Sequence, residues 1–353
     1  MKSFYERVVF PFLQTKDIEL GYDMAVMGLR YIGNFWPLWK LMIAFNRVTG
    51  DRPIELFGLK FPNLVGVAAG VDRGADCWRG LEALGFGHIE IGSITREKYP
   101  GNPRPRIFCY PQYQSVIHRV GCCNEGAAVV EQKLAKDIAE RPKTVPLGIN
   151  ISKSRNIPVE GAIEDLVGTF RLLVDHADYF SINIGCTHLP HLKKIQEKSS
   201  LYPLLKALKT ENQNRAKKLG CSTVPLLIKI APELSFKEVD EILEVITSLE
   251  YNGIIAAGSA NGRPSEMQNI KETGFLCGAK VHQSALSLVQ YIYKKTEGKL
   301  PIIGVGGIFD ESDASRMIDA GASLIQVHSC LYLKGPFQGK KLARALKWHH
   351  KDF

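Results

Sequence analysis

Eight short apolar runs recur along the chain, each separated from the next by a stretch long enough for a crossover helix, and this repetition restricts the fold more than any other feature. They are Leu64 to Gly70, His88 to Ile94, Val145 to Ile151, Ser181 to His188, Val224 to Ala231, Gly253 to Ser259, Pro301 to Gly307 and Leu324 to Cys330. Each carries Gly, Ser, Asn or Lys at or near its end. Near-continuous apolar strands alternating with helical segments build a parallel sheet covered on both faces. Eight such units close a (β/α)8 TIM barrel, an α/β fold of roughly 250 residues. A chain of 353 residues then needs no second independent core, and its additional length lies mostly at the front.

That front segment, residues 1–50, holds no barrel strand but is rich in Phe, Tyr, Trp and Met. Asp17 is placed to cap a helix whose apolar stripe is Tyr22, Val26, Leu29 and Ile32 and whose stop is Gly33-Asn34. A second helix starts near Pro37 and carries Leu38, Met42 and Ile43. The reading is a helical cap, 1–50, on a barrel, 51–353. The cap is either a lid packed on the barrel or a greasy platform that touches a membrane or admits an apolar co-substrate. Ile54, Leu56, Leu59 and Phe61 around Gly58 predict a hairpin closing the barrel floor.

The net charge of +9 fits anionic ligands or an anionic membrane surface. It is not accompanied by any zinc-finger, helix-turn-helix or RNA-binding signature, so no nucleic-acid partner is expected. The eight cysteines include no C-x-x-C, which argues against a structural zinc, a cluster or a secreted disulfide framework. No apolar run reaches the roughly 18 residues of a membrane span and no secretory signal opens the chain. The expected location is cytoplasmic, or peripheral to the inner face of a membrane.

Candidate chemistry gathers where the runs end. Ala68-Ala69-Gly70 lets a flat ligand approach the backbone, or packs the barrel tightly. Gly304-Val305-Gly306-Gly307 ends the seventh run, His328-Ser329 ends the eighth, and Gly278 falls in the loop after the sixth. Glycine turns after strands seven and eight are the usual phosphate site of this fold. Lys229 interrupts Leu226-Leu227-Ile228-Lys229-Ile230 and needs a partner, either a barrel carboxylate or an anionic cofactor such as a flavin. His118 and His188 read as loop histidines, and no carboxylate-histidine spacing marks a metal site.

Taken together, Gly66-Val67-Ala68-Ala69-Gly70-Val71-Asp72, Ile89-Glu90-Ile91-Gly92-Ser93, the stretch from Pro100 to Arg106, Leu147-Gly148-Ile149-Asn150-Ile151, Lys229-Ile230-Ala231-Pro232-Glu233-Leu234 and the stretch from Pro301 to Ile308 resemble the class 2, quinone-dependent dihydroorotate dehydrogenases over nearly the whole chain. The resemblance implies an FMN enzyme that oxidises a dihydropyrimidine and passes electrons to a quinone through a tunnel formed by the N-terminal helices. It places flavin contacts on Ala69, Gly70, Ser93, Asn150, Asn183, Lys229, Gly278, Gly307, His328 and Ser329. Substrate contacts fall on Arg73, His118, Asn150, Asn183, His188 and Ser259, and the catalytic base on Cys186.

Several of these positions depart from the family pattern. Arg73 stands where the family has lysine, His118 and His188 where it has asparagine, and Ala257-Gly258-Ser259 where it has Thr-Asn-Thr. Cys186 takes the place of the class 2 serine, and a cysteine is the base in class 1 relatives. A buried polar group left without its partner costs about 1 to 3 kcal/mol, so the departures point to an anionic, planar ligand other than orotate. The alternatives are therefore a paralogue acting on a different anionic substrate and a flavin-binding protein without turnover.

Overall fold

All eight runs are strands of one closed barrel: Val65–Val67, His88–Ile94, Leu147–Ile151, Tyr179–Asn183, Leu226–Ile230, Gly253–Ala256, Ile302–Val305 and Leu324–Val327. Each pairs in parallel with the next, and the last closes on the first through Ile325, Gln326 and Val327 opposite Val65, Gly66 and Val67. This computed structural model describes residues 3–14, 18–50, 54–185 and 192–348; Asp17, Cys186 and His188 lie outside them. Most strands are shorter than the apolar runs because the run ends curl into the turns that build the mouth. Gly70, Gly306 and Gly307 sit there at φ of 107°, 134° and 65°, which glycine adopts without strain.

Residues paired across parallel strands point to the same face, so the register decides what fills the barrel. The lowest interior layer works by pairing large with small. A Cβ on Gly66 would lie 2.1 Å from the ring of its register partner His88, and one on Gly148 would lie 2.1 Å from the ring of its partner Tyr179. Above them lies a polar layer of Glu90, Asn150, Ser181, Lys229 and Gln326, all buried. The alternate residues, among them Ile89, Ile91, Ile149, Phe180 and Ile228, are buried among the surrounding helices.

Two accessory sheets flank the barrel. The expected hairpin is present, Ile54–Leu56 against Leu59–Phe61. The second sheet is a correction to the sequence reading. The segment between the second and third barrel strands contains Ile107–Tyr110 and Ser115–His118, and Gly278, placed in a loop by the sequence reading, ends the strand Phe275–Gly278. These three strands form one antiparallel sheet with Ser115–His118 in the middle.

The N-terminal helices run Ile18–Asn34 and Trp36–Asn46, with extended Phe35 between them and Pro37 in the second helix's first turn. Tyr22, Val26, Leu29 and Ile32 face the barrel half-buried. Close approach is possible because two glycines meet there: a Cβ on Gly80 would lie 2.1 Å from the Leu29 carbonyl oxygen, and one on Gly33 would lie 2.7 Å from Arg79. Trp39 donates its indole N–H to the Arg79 carbonyl at 2.9 Å, and Arg141 donates to the Gly33 carbonyl at 2.6 Å.

An ionic clamp completes the attachment. Glu19, with no exposed surface, accepts from Arg106 at 2.7 to 3.1 Å and has Arg104 at 3.3 Å and Arg73 at 3.5 Å. Burial alone would raise the Glu19 pKa, but the three guanidiniums outweigh it and hold the carboxyl below its ordinary range. The opposite face of the first helix is also apolar. Leu20, Met24, Met27 and Tyr31, spaced i, i+4, i+7 and i+11, are all exposed.

His88 is fully buried, and neither ring nitrogen has a hydrogen-bond partner. Burial pushes its pKa from 6.5 down to about 4, with Glu90 opposing weakly. The unfolded chain therefore binds a proton at this residue as pH falls below 6.5, while the folded chain stays neutral until about 4. Stability present at neutral pH should be lost across that window, by about 2 kcal/mol at pH 5 from this group. Comparing urea unfolding at pH 7.5 and pH 5, His88→Leu should lose less stability on acidification than the wild type. An equal loss in both would show that His88 does not contribute.

Candidate active site

The C-terminal ends of the strands surround a cavity of about 190 Å3, roofed on one side by the three-stranded sheet. Its floor is the polar layer. Lys229 Nζ donates to Glu90 Oε1 at 2.8 Å, Asn150 donates to the same oxygen at 3.0 Å, and Gln326 donates to Oε2 at 3.0 Å. Burial works to raise the Glu90 pKa, but the Lys229 charge and the Gln326 hydrogen bond outweigh it, so Glu90 stays ionised. Of the two partners that Lys229 could have had, the barrel supplies the carboxylate, and the lysine still reaches the cavity wall.

Of the residues expected to touch a flavin, Ala69, Gly70, Ser93, Asn183, Lys229, Gly278, Gly307, His328 and Ser329 all line this cavity. Asn150 lies one layer beneath it. Its carboxamide oxygen accepts from Ser93 Oγ, and its nitrogen donates to Glu90 and to Ser181 Oγ. Asn183 is fixed at both ends, donating to Ser93 Oγ at 3.0 Å and accepting from the Gly185 N–H at 3.1 Å. The wall is therefore set by a chain of hydrogen bonds running Asn183, Ser93, Asn150, Glu90, Lys229.

Arg73, His118 and Ser259, expected at the substrate, line the same cavity. Arg73 follows Asp72, whose buried carboxylate accepts the backbone N–H groups of Gly74, Asp76 and Cys77 at 2.9 to 3.2 Å and so shapes the turn. The Arg73 guanidinium lies 4.1 Å from the centre of the Tyr22 ring in the cap. His118 ends the middle strand of the accessory sheet. Desolvation, then the Arg73 charge, pushes its pKa down to about 4, so its ring is neutral at pH 7. His328 is pushed down to about 3 by desolvation first, and then by His118, Arg73 and Lys229 beside it. In sequence Cys186 is next after Gly185, a lining residue, and His188 is three residues after it; both lie outside the described residues.

The sequence reading gave no role to Glu90, Ser181, Gln326, Tyr332 or Glu19. Glu90 had a signal, being a carboxylate inside His88-Ile89-Glu90-Ile91, where only a buried partner could tolerate it. Glu19 had none, because its arginines lie at least 54 residues away in sequence. Tyr332 lines the cavity and stacks on Tyr22, ring centres 6.3 Å apart, which brings cap and cavity together.

The residues present fit a flavin phosphate and an anionic ring. Gly70, Gly278, Gly306 and Gly307 line the cavity with backbone alone, Arg73 and Lys229 supply positive charge, and no Asp or Glu is among the lining residues described.

Comparison with known proteins agrees. The family described as Dihydroorotate dehydrogenase matches residues 53–349. A protein of Acidithiobacillus ferrooxidans named dihydroorotate dehydrogenase (quinone) is 40% identical over 330 residues, covering 92% of this chain and 90% of the relative. One of the same name from Chloroflexus aurantiacus is 39% identical over 341 residues, covering 95% and 93%. Among solved structures, DHODH from Eimeria tenella in complex with ferulenol superposes with a TM-score of 0.81 at 28% identity, covering 93% of this chain and 90% of that one.

Removing one member of a buried ion pair strands the other, at about 3 to 5 kcal/mol, whereas replacing both is far milder. Lys229→Met should therefore lose about that much stability in denaturant unfolding, and Lys229→Met with Glu90→Gln should recover most of it. If the double variant is no more stable than the single, Glu90 is not what Lys229 neutralises.

Proposed function

Because the chain belongs to the dihydroorotate dehydrogenase family, with relatives named for the quinone-dependent enzyme, we propose that it oxidises dihydroorotate to orotate with FMN as its cofactor and a quinone as final acceptor. One observation carries the reading: a cavity at the C-terminal strand ends, lined by Arg73, Lys229 and glycine turns and by no described carboxylate, opens against an aromatic helical cap. FMN, when bound, supplies the two-electron acceptor that the side chains lack.

The roles follow from position. Gly278, Gly307 and Ser329 hold the phosphate, and Ala69, Gly70, Ser93, Asn183 and His328 hold the ring system. Lys229 would supply fixed positive charge to it, and Asn150 holds Ser93 and Glu90 in register. Arg73 and His118, with Ser259 and His188, receive the substrate, the arginine facing its carboxylate and the neutral imidazole offering one donor and one acceptor. Cys186, the residue after Gly185 in sequence, would be the base that takes the proton from the substrate carbon.

A second reading, a different planar anion at this site, is favoured by Gly258, which lines the cavity and offers no side-chain amide. Anaerobic mixing separates the two. With FMN bound, dihydroorotate should bleach the flavin spectrum, and Cys186→Ala should slow that bleaching by about 100-fold or more while FMN stays bound. Full-rate bleaching in the variant would remove Cys186 from the mechanism. No bleaching in the wild type, with no spectral shift on adding orotate, would favour the other anion.

The exposed stripe Leu20, Met24, Met27 and Tyr31 presents the cap to a quinone-bearing membrane surface as a peripheral contact. Among the described residues no helix is long and apolar enough to cross a membrane. Replacing Met24, Met27 and Tyr31 together by Gln leaves Glu19 and the packed face untouched. It should cut turnover with a membrane-embedded quinone about 10-fold or more and leave flavin reduction by substrate unchanged. If a soluble dye acceptor suffers equally, the stripe does not serve the acceptor.

A further inference from the structure

The turn after the seventh barrel strand is held from behind by a histidine that does not itself reach the cavity. His282 begins the His282–Lys295 helix and is buried. Its Nδ1 lies 3.0 Å from the Gly306 carbonyl oxygen, so that nitrogen carries the proton and donates. Nε2 faces Asp313 Oδ1 at 3.7 Å without a hydrogen bond. Asp313 in turn accepts from the Phe309 N–H at 2.9 Å and from Arg316 at 2.7 Å. The Gly306 to Phe309 turn is thus tied at one end to His282 and at the other to Asp313.

Packing leaves the turn no other place. A Cβ on Gly307 would lie 2.7 Å from His282 Cβ and 2.7 Å from the Gly278 carbonyl oxygen. Glycine has the greatest backbone freedom of any residue, so a Gly-Gly peptide aims nothing unless something holds it. In a planar trans peptide the carbonyl of one residue and the N–H of the next point in opposite directions. A histidine behind the wall that draws the Gly306 carbonyl backwards therefore turns the Gly307 N–H forwards, to the side where Gly306 and Gly307 line the cavity.

We propose that His282 is a positioning residue for anion binding: it fixes the Gly306–Gly307 peptide so that its N–H meets the phosphate of the cofactor. This rests on the FMN reading above and adds a residue that acts only on the phosphate end. Riboflavin, which has the same ring system without the phosphate, is the control.

The experiment titrates flavin-stripped full-length protein with FMN and with riboflavin, following flavin fluorescence. His282→Leu should raise the FMN dissociation constant by roughly 10-fold, the scale of one lost hydrogen bond with a carbonyl left unpaired. Its riboflavin affinity should not change. His282→Asn, whose side-chain N–H can take the place of Nδ1, should restore FMN affinity to within about 3-fold of wild type. Turnover at saturating FMN should be the same in all three proteins. An unchanged FMN affinity in His282→Leu, or an equal loss for both flavins, overturns the inference. Should His282→Leu fail to fold, His282→Asn and His282→Gln decide it through the ratio of FMN to riboflavin affinity. Wild-type protein that binds the two flavins equally would overturn the phosphate reading itself, and the role of His282 with it.

Discussion

The barrel interior depends on the ion pair between Lys229 and Glu90. Two charges buried in a largely apolar sheet are tolerable only if their own donors and acceptors are engaged. Here the carboxylate takes Lys229 and Asn150 on one oxygen and Gln326 on the other. The pair thereby fixes Asn150, which fixes Ser93, which receives Asn183. Residues from the second, third, fourth, fifth and eighth strands belong to this one network, so the cavity wall inherits its rigidity from the barrel core and not from the loops above it.

The cap is attached by a second set of charges that obeys the same rule with the signs exchanged. A single buried carboxylate, Glu19, faces Arg106, Arg104 and Arg73, and Arg106 also donates to the carbonyls of Pro100 and Asn102. Surplus positive charge remains at the boundary between cap and cavity. The close packing of Gly33 and Gly80 brings the helix near enough for Glu19 to reach the arginines. With the inward face so occupied, the stripe of Leu20, Met24, Met27 and Tyr31 is left exposed on the outward face.

The barrel was legible because its signal is local. Each strand is a run of β-branched or apolar residues between glycine and polar punctuation, and the helix Phe236–Ser248 announces itself through Ser235 and Glu238, which form a reciprocal cap. The three-stranded sheet was not legible. Ile107 to Tyr110 and Ser115 to His118 do carry a hairpin pattern, but their third partner, Phe275–Gly278, lies about 160 residues away and leaves no local trace. The lining residues were recoverable from the strand ends, because a closed barrel converges them on one mouth. What escaped was the layer beneath and behind, Gln326 and His282, since a residue that acts by holding another shows its purpose only once the register is known.

Arg73 belongs to both halves of the molecule, and this ties them together. It lines the cavity, yet its guanidinium stacks on Tyr22 and faces Glu19, both in the first cap helix. Tyr22 stacks in turn on Tyr332, another lining residue, whose carbonyl accepts from the Tyr5 hydroxyl at 2.8 Å. A displacement of the cap helix therefore moves both the cation and the aromatic ring that border the cavity. The helix cannot shift independently, because Leu29 is pressed on Gly80 and Trp39 is bonded to Arg79 on the barrel's own helix. Cap and cavity thus share one side chain, and packing against glycine holds the helix that fixes it.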